Sequence, residues 1–322
     1  MSVYPVMLRP EGGSSIVAFG TTGIVCRNSR RPEQVLKAPL LHKVEGCSAD
    51  IIETTKHRDE FARSCFEREK IIYGILPKHP NILDCIEITD HCISFPFMRL
   101  GNLREYLQSH NQKISSQTRG QWVEMAVTAI SLVHSFGVVH ADISARNFLV
   151  ADDLSLKLCD FSGSAIGENG SLVEEEDRYR ITPDCPRSKT TDIFALGCLI
   201  YEISNGLRPY DDIDDDDCEE IENRYSIGQF PCLDGLPHRE IIHKCWTCVY
   251  ANVDELNDEV QNKMRVGRSL LPALFSRSVS TISTRQLSFV TTTIFVIAIS
   301  SMLFLYPRRG YWRAQWLGWI LR

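Results

Sequence analysis

His140-Ala141-Asp142-Ile143-Ser144-Ala145-Arg146-Asn147, followed thirteen residues after Asn147 by Asp160-Phe161-Ser162, is the stretch whose reading decides the fold. It sets two carboxylates and a carboxamide close together in the chain. Just upstream, Trp122, Met125, Ala126, Ala129, Ile130 and Val133 recur at helical spacing and predict a helix over Trp122 to Phe136. Downstream, Asp192 to Asn205 is apolar almost all round, which predicts a helix buried at the centre of a large lobe. Nearer the N-terminus, residues 16–37 alternate β-favouring runs with a Gly-rich turn, as a hairpin and a third strand would. Phe61 to Leu76 predicts a helix with apolar positions at Phe61, Cys65, Ile72, Ile75 and Leu76. Pro77, Pro80 and Asn81 end it, and Ile82 to Ile88 and Cys92 to Met98 follow as short strands. Strands with one helix first, then mostly helices, predict an α+β arrangement of two lobes.

The 322 residues suit one such two-lobed unit with a tail; 43% are hydrophobic and 24% charged, enough for a large core and against global disorder. A net charge of −6 argues against a nucleic-acid binder that relies on a basic surface. The acid concentrates between Asp211 and Glu222, which reads as a solvated face. Twelve cysteines are scattered, and Met1 to Pro10 has no apolar signal-peptide core, so the thiols read as reduced and the domain as cytosolic. Cys245-Trp246-Thr247-Cys248 is a single C-x-x-C pair and cannot complete a zinc site alone.

In their order and content these segments resemble the signature motifs of the protein-kinase family. Phe19-Gly20-Thr21-Thr22-Gly23-Ile24-Val25 resembles the Gly-rich loop over the nucleotide phosphates, with Ala18 where a first glycine is expected. Lys37, on the next strand, matches the lysine that contacts the α/β-phosphates; Glu69 is its matching helix partner and Glu67 the alternative. His140 to Asn147 resembles the catalytic loop H-R-D-x-x-x-x-N, and Asp160-Phe161-Ser162 resembles D-F-G. The resemblance implies that Asp142 accepts or orients the substrate hydroxyl proton, and that Asn147 and Asp160 hold Mg²⁺. It implies that Gly20, Thr21, Thr22, Gly23 and Val25 contact the nucleotide. Phe95 aligns with the gatekeeper and Pro96-Phe97-Met98 with the hinge, and Val35 and Leu149 are further nucleotide-pocket positions. Asp192 to Glu202, with Gly206 and Arg208-Pro209-Tyr210, resembles the family's central helix, and Ile241 to Trp246 a later one.

The resemblance also implies a two-lobed kinase domain over 14–260, with an N-lobe over 14–98, a C-lobe over 99–260 and a segment 1–13 before it. ATP and Mg²⁺ are the implied cofactors. The implied acceptor is a protein Ser or Thr hydroxyl ahead of Tyr, and the alternative is a pseudokinase that binds nucleotide or scaffolds. Ser144 stands where Ser/Thr kinases carry a lysine, and Ser144-Ala145-Arg146-Asn147 resembles the A-A-R-N form of tyrosine kinases.

Besides Ala18, the motifs depart from the family in three places. Ala141 replaces the arginine that pairs with an activation-loop phosphate in many kinases, while Glu174, Glu175, Glu176 and Asp177 form a fixed acidic patch. Activity is therefore expected not to depend on phosphorylation of that loop. Ser162 replaces the D-F-G glycine, from which altered switching rather than loss of metal binding is expected. Thr182-Pro183-Asp184 stands where A-P-E is expected, and no arginine after Trp246 matches Asp184, which suggests a trimmed C-lobe.

Leu287 to Tyr306 is a mainly apolar stretch of 20 residues, a bilayer-core length at ~1.5 Å per residue. Arg285 flanks one end; Arg308, Arg309 and Arg313 flank the other with Tyr311, Trp312 and Trp316. The expectation is a C-terminal hydrophobic helix over 287–306 that anchors the protein to a membrane. A linker over 261–286 and a basic tail over 307–322 would flank it; a peripheral or packed helix and a stretch of wrongly predicted coding sequence are the alternatives.

Overall fold

The computed structural model describes residues 4–182 and 185–265. Strands β1 (Val6–Met7), β2 (Gly13–Phe19), β3 (Gly23–Asn28), β4 (Gln34–Pro39) and β5 (His42–Lys43) come first, then helix α1 (Ala49–Ile75) and strands β6 (Glu87–Ile88) and β7 (Ile93–Pro96). Five of the strands form an antiparallel sheet in the order β2-β3-β4-β7-β6, and β1 pairs with β5 beside it. Register decides what this sheet presents. Val25 lies opposite Lys37, and Val35 opposite Phe95. Directly opposed residues share a face, as do residues two apart on one strand, so Val25, Val35, Lys37 and Phe95 all line one side of the sheet. The opposite side buries Ile24, Cys26 and Ala38 in a small core of its own.

Helix α1 starts twelve residues before the expected Phe61, at an N-cap Ser48. The stretch Ala49 to Glu60 has no apolar stripe to betray it; it is tied down where Asp59 accepts hydrogen bonds from the His42 backbone at 3.0 Å and meets the His42 ring at 2.8 Å. The buried face of α1 is Ala62, Cys65, Phe66, Glu69, Ile72 and Tyr73, spaced i, i+3, i+4, i+7. Phe61 and Ile75, expected on that face, are about 40% exposed. The strands after α1 are shorter than the apolar runs that announced them, because Ile82 and Leu83 pack into the core as extended chain outside the sheet.

The helical part holds α2 (Leu103–His110), α3 (Ser116–Ser135), α4 (Lys189–Asn205), α5 (Cys218–Ser226), α6 (Arg239–Trp246) and a helix α7 over 253–265. Two antiparallel pairs sit among them: β8 (Val138–Val139) with β11 (Ala165–Ile166), and β9 (Phe148–Val150) with β10 (Leu156–Leu158). All six residues of the expected α3 face pack into the core, with Met125 partly buried. Helix α4 is buried continuously from Thr191 to Ile203, as its unbroken apolar sequence required. Its ends are defined by a Ser188–Thr191 capping box and by Gly206 in the left-handed region at φ +84°. The result is a sheet-rich N-terminal region joined to a helical C-terminal region.

None of the twelve cysteines is disulfide-bonded, and Cys26, Cys65, Cys198 and Cys245 are buried as small apolar side chains. The apolar segment 287–306 lies outside the described residues; among those described, no helix is long and apolar enough to cross a membrane.

Gly197 is where α4 meets α6: a Cβ built there would stand 2.6 Å from Cys245 Cβ. Alanine is worth about 1 kcal/mol over glycine in a helix interior, but both contacting atoms hang directly from backbone. Gly197→Ala should therefore destabilise the fold by about 1–3 kcal/mol net of that gain. Urea unfolding measures this, and an unchanged or raised midpoint would contradict the packing.

Candidate active site

Lys37 is carried by β4 on the sheet face that looks toward the helical region. Its Nζ lies 2.8 Å from Glu69 Oε1, 2.6 Å from Glu69 Oε2 and 2.8 Å from Asp160 Oδ1. Glu69 comes from the buried face of α1, and Asp160 from the segment after β10. Glu67, the alternative partner, is an exposed residue paired with Lys70. Burial opposes the ammonium, but the charges of Asp160 and Glu69 outweigh it and raise the Lys37 pKa above its ordinary value. Burial likewise opposes ionisation of Asp160, yet Lys37 and a hydrogen bond from Ser162 hold its carboxyl below the usual range. Glu69, more deeply buried, is pushed up by desolvation, with Lys37 opposing.

Ser162 has a definite role in this arrangement. Its hydroxyl donates to Asp160 Oδ1 at 2.7 Å. The backbone of Asp160 is left-handed at φ +66°, a conformation costing a non-glycine residue about 1–3 kcal/mol unless its surroundings hold it. Phe161 holds it from the next position. Its ring is fully buried, 5.2 Å from Tyr73 of α1 and 5.3 Å from His140, and its N–H donates to Glu69 Oε1 at 3.3 Å.

The catalytic-loop segment is hung from α4. Asp192 accepts from the backbone N–H groups of His140 at 2.8 Å and Ala141 at 2.9 Å, and its Oδ2 also meets His134 Nε2 at 2.8 Å. These bonds fix Ala141 at φ +63° and aim the next residue, Asp142, at the opening between the two regions. Asn147 donates both amide hydrogens to Asp142, one to its carbonyl at 2.7 Å and one to Oδ2 at 2.8 Å. The Asn147 amide oxygen is thereby turned away from Asp142. Desolvation, with the charge of Asp160 adding, pushes the Asp142 carboxyl up to about 7; the Asn147 hydrogen bond and the Arg146 charge oppose it.

Two cavities that share lining residues open onto these groups. The larger, of about 550 Å³, is lined by Ala18 to Gly23, Lys37, Asp142, Asn147 and Asp160. The smaller, of about 280 Å³, is lined by Val25, Val35, Phe95, Phe97, Met98 and Leu149, and also by Lys37, Glu69, Asn147 and Asp160. Every residue singled out from sequence as catalytic, nucleotide-contacting or metal-binding therefore faces one of the two. The larger is lined by polar and apolar groups in equal part and bordered by a hairpin turn; the smaller is mainly apolar and lies between the sheet and the helical region. Phe95 packs against Tyr73 at 5.1 Å and closes the slot at its back. Sequence reading did not place Val17, Leu83, Asn102, Leu172 or Val173, which line the cavities too. Asn102 carried a signal, since Asn before a helix caps it, and here it accepts from Glu105 N–H.

For a divalent cation the fit is good. Asn147 offers an amide oxygen and Asp160 a second carboxylate oxygen, hard donors suited to an ion that takes its other ligands from phosphates and water. Among the described residues no cluster of three or more His, Cys, Asp or Glu makes a protein-only metal cage.

The acidic patch of the loop is ordered by arginines. Glu175 is buried and paired with Arg187 at 2.5 Å. Glu176 meets Arg104 and Arg146, and Arg180 gathers Glu174, Asp177 and Glu222. Asp184 lies outside the described residues.

Sequence similarity to known proteins agrees with this geometry. The model of the protein tyrosine and serine/threonine kinase family matches residues 50–252, and the chain belongs to that family. It is similar to the serine/threonine/tyrosine-protein kinase HT1 of Arabidopsis thaliana, 22% identical over 64% of this chain and 57% of that protein. The dual specificity protein kinase shkC of Dictyostelium discoideum is 24% identical over 75% of this chain and 49% of its own length. The tyrosine-protein kinase transforming protein Abl of Abelson murine leukemia virus is 26% identical over 60% of this chain and 27% of its own. The chain thus spans between about a quarter and three-fifths of these three relatives. The family match starts after the hairpin, so the loop at Gly20 to Gly23 and Lys37 are joined to the site by geometry.

If Asp142 must be ionised to take a proton, kcat/KM should fall as pH drops through about 7, because the raised carboxyl is protonated below that value. A pH–rate profile that stays flat across about pH 6–8 would contradict the assignment.

Proposed function

We propose that this chain is an active protein kinase that transfers the γ-phosphoryl group of ATP to a protein hydroxyl, Ser or Thr ahead of Tyr. The observation that carries the proposal is the joint placement of the Lys37–Glu69–Asp160 ion cluster and the Asp142–Asn147 pair on one opening. In this reading the slot between Val25, Val35 and Leu149 takes the adenine, with Phe97 and Met98 along its edge. Lys37 contacts the α/β-phosphates, and the turn from Gly20 to Gly23 covers the β/γ end. Asn147 and Asp160 would hold Mg²⁺, which would neutralise phosphate charge. Asp142 orients the acceptor hydroxyl and takes its proton. The acceptor oxygen bonds to the γ-phosphorus as the bond to the β–γ bridging oxygen breaks, and ADP leaves with the electron pair. Transfer of this kind rests mainly on positioning and charge neutralisation, which is what the ion cluster supports.

A second reading, a pseudokinase that binds nucleotide without transferring phosphate, is favoured by Ala18 and Ser162 at positions where the family carries glycine. ATP turnover with a generic protein acceptor separates the two. Asp142→Asn keeps shape and removes the base, and should lower turnover by about 10²–10⁴-fold. Equal rates for Asp142→Asn and wild type would reject transfer through this site.

A further inference from the structure

Resting on the kinase reading, we propose that Glu176 is a positioning residue. Its carboxylate bridges Arg104 of α2 and Arg146 of the catalytic loop, and so holds the loop beside Asp142 in place without a phosphate.

Arg104 Nη1 reaches both Glu176 oxygens, at 2.9 and 2.8 Å. Arg146 Nε reaches Glu176 Oε1 at 2.9 Å. Two cations from separate elements thus converge on one carboxylate that is only 16% exposed. Arg104 is itself anchored from behind, by Glu202 of α4 at 3.1 Å through Nε and 3.3 Å through Nη2. Tyr179 donates its hydroxyl to the same Glu202. The clamp therefore runs from α4 through α2 to the loop and on to Arg146, which lines both cavities with Asn147 and Asp160.

The rest of the loop leaves a phosphate little to bind. Ala141 is buried and has no cationic side chain. Arg178 pairs with Asp215, Arg180 with three carboxylates and Arg187 with Glu175, so the arginines at 178, 180 and 187 are already matched. Of the loop hydroxyls, those of Ser164 and Tyr179 are buried and bonded, to the His140 carbonyl and to Glu202, while Thr182 is exposed and Ser171 partly so. A permanent carboxylate at Glu176 does by sequence what a phosphorylated loop does by modification: it draws arginines together across the loop.

The experiment uses the full-length protein, phosphatase-treated and untreated, with Glu176→Gln and Glu176→Asp. Phosphatase treatment is expected to leave the wild-type rate unchanged. Glu176→Gln is expected to lower kcat by about tenfold or more through misplacement of the loop. KM for ATP should change little. Its amide hydrogens over 174–182 should exchange faster while those of α4 stay protected, and Glu176→Asp should restore part of kcat. Wild-type exchange and wild-type kcat in Glu176→Gln would overturn the proposal, as would loss of wild-type activity on phosphatase treatment. If untreated wild type shows no turnover with any acceptor, the kinase reading fails, and hydrogen exchange alone still decides whether Glu176 orders the loop.

Discussion

An ammonium group removed from water must be paired, and in this protein the pairing of Lys37 sets most of the geometry. The side chain leaves the sheet at β4, and its two partners come from α1 and from the segment after β10. Three parts of the chain that share no secondary structure are thus fixed to one nitrogen. Breaking such a pair strands a buried charge, at a cost of about 3–5 kcal/mol. The orientation of α1 is a consequence, since Glu69 has to face inward at the centre of an otherwise apolar stripe. Asp192 plays the corresponding part in the helical region, where one buried carboxylate takes two backbone N–H groups and keeps Ala141 left-handed.

Between these two anchors the departures from the family pattern become chemically coherent. Ser162 gives up backbone freedom but adds a hydrogen bond to Asp160. Ala141 removes one arginine, while Arg104, Arg146, Arg180 and Arg187 each hold a carboxylate of the loop. Residues 174–177 supply these carboxylates as fixed charges. A loop built in this way is held by fixed carboxylate–arginine pairs.

Motif residues were legible in the sequence because their chemistry is local. His140 to Asn147 and Asp160 to Ser162 are each fixed within a few positions, and α3 and α4 announce themselves by periodicity and by unbroken apolarity. Residues whose role depends on distant partners were harder to find. The first three turns of α1 carry no apolar face, and their tie to His42 bridges 17 positions. Phe61 and Ile75 had the right spacing for a buried stripe, but the need to bury Glu69 sets the face of the helix. The acidic run at 174–177 read as one fixed acidic patch, and nothing in it marked Glu175 as buried. Its partner Arg187 is twelve residues on, and Arg104 is 72 residues from Glu176. Charge pairing over such separations leaves no pattern in a single sequence.

A double-mutant cycle on Lys37→Met and Glu69→Met in the nucleotide-free protein, read by denaturant unfolding, tests the central claim most directly. If the buried pair is the tie described, Lys37→Met alone loses about 3–5 kcal/mol and the double variant regains a large part of it, because no unpaired Glu69 charge remains. Losses that simply add would contradict it.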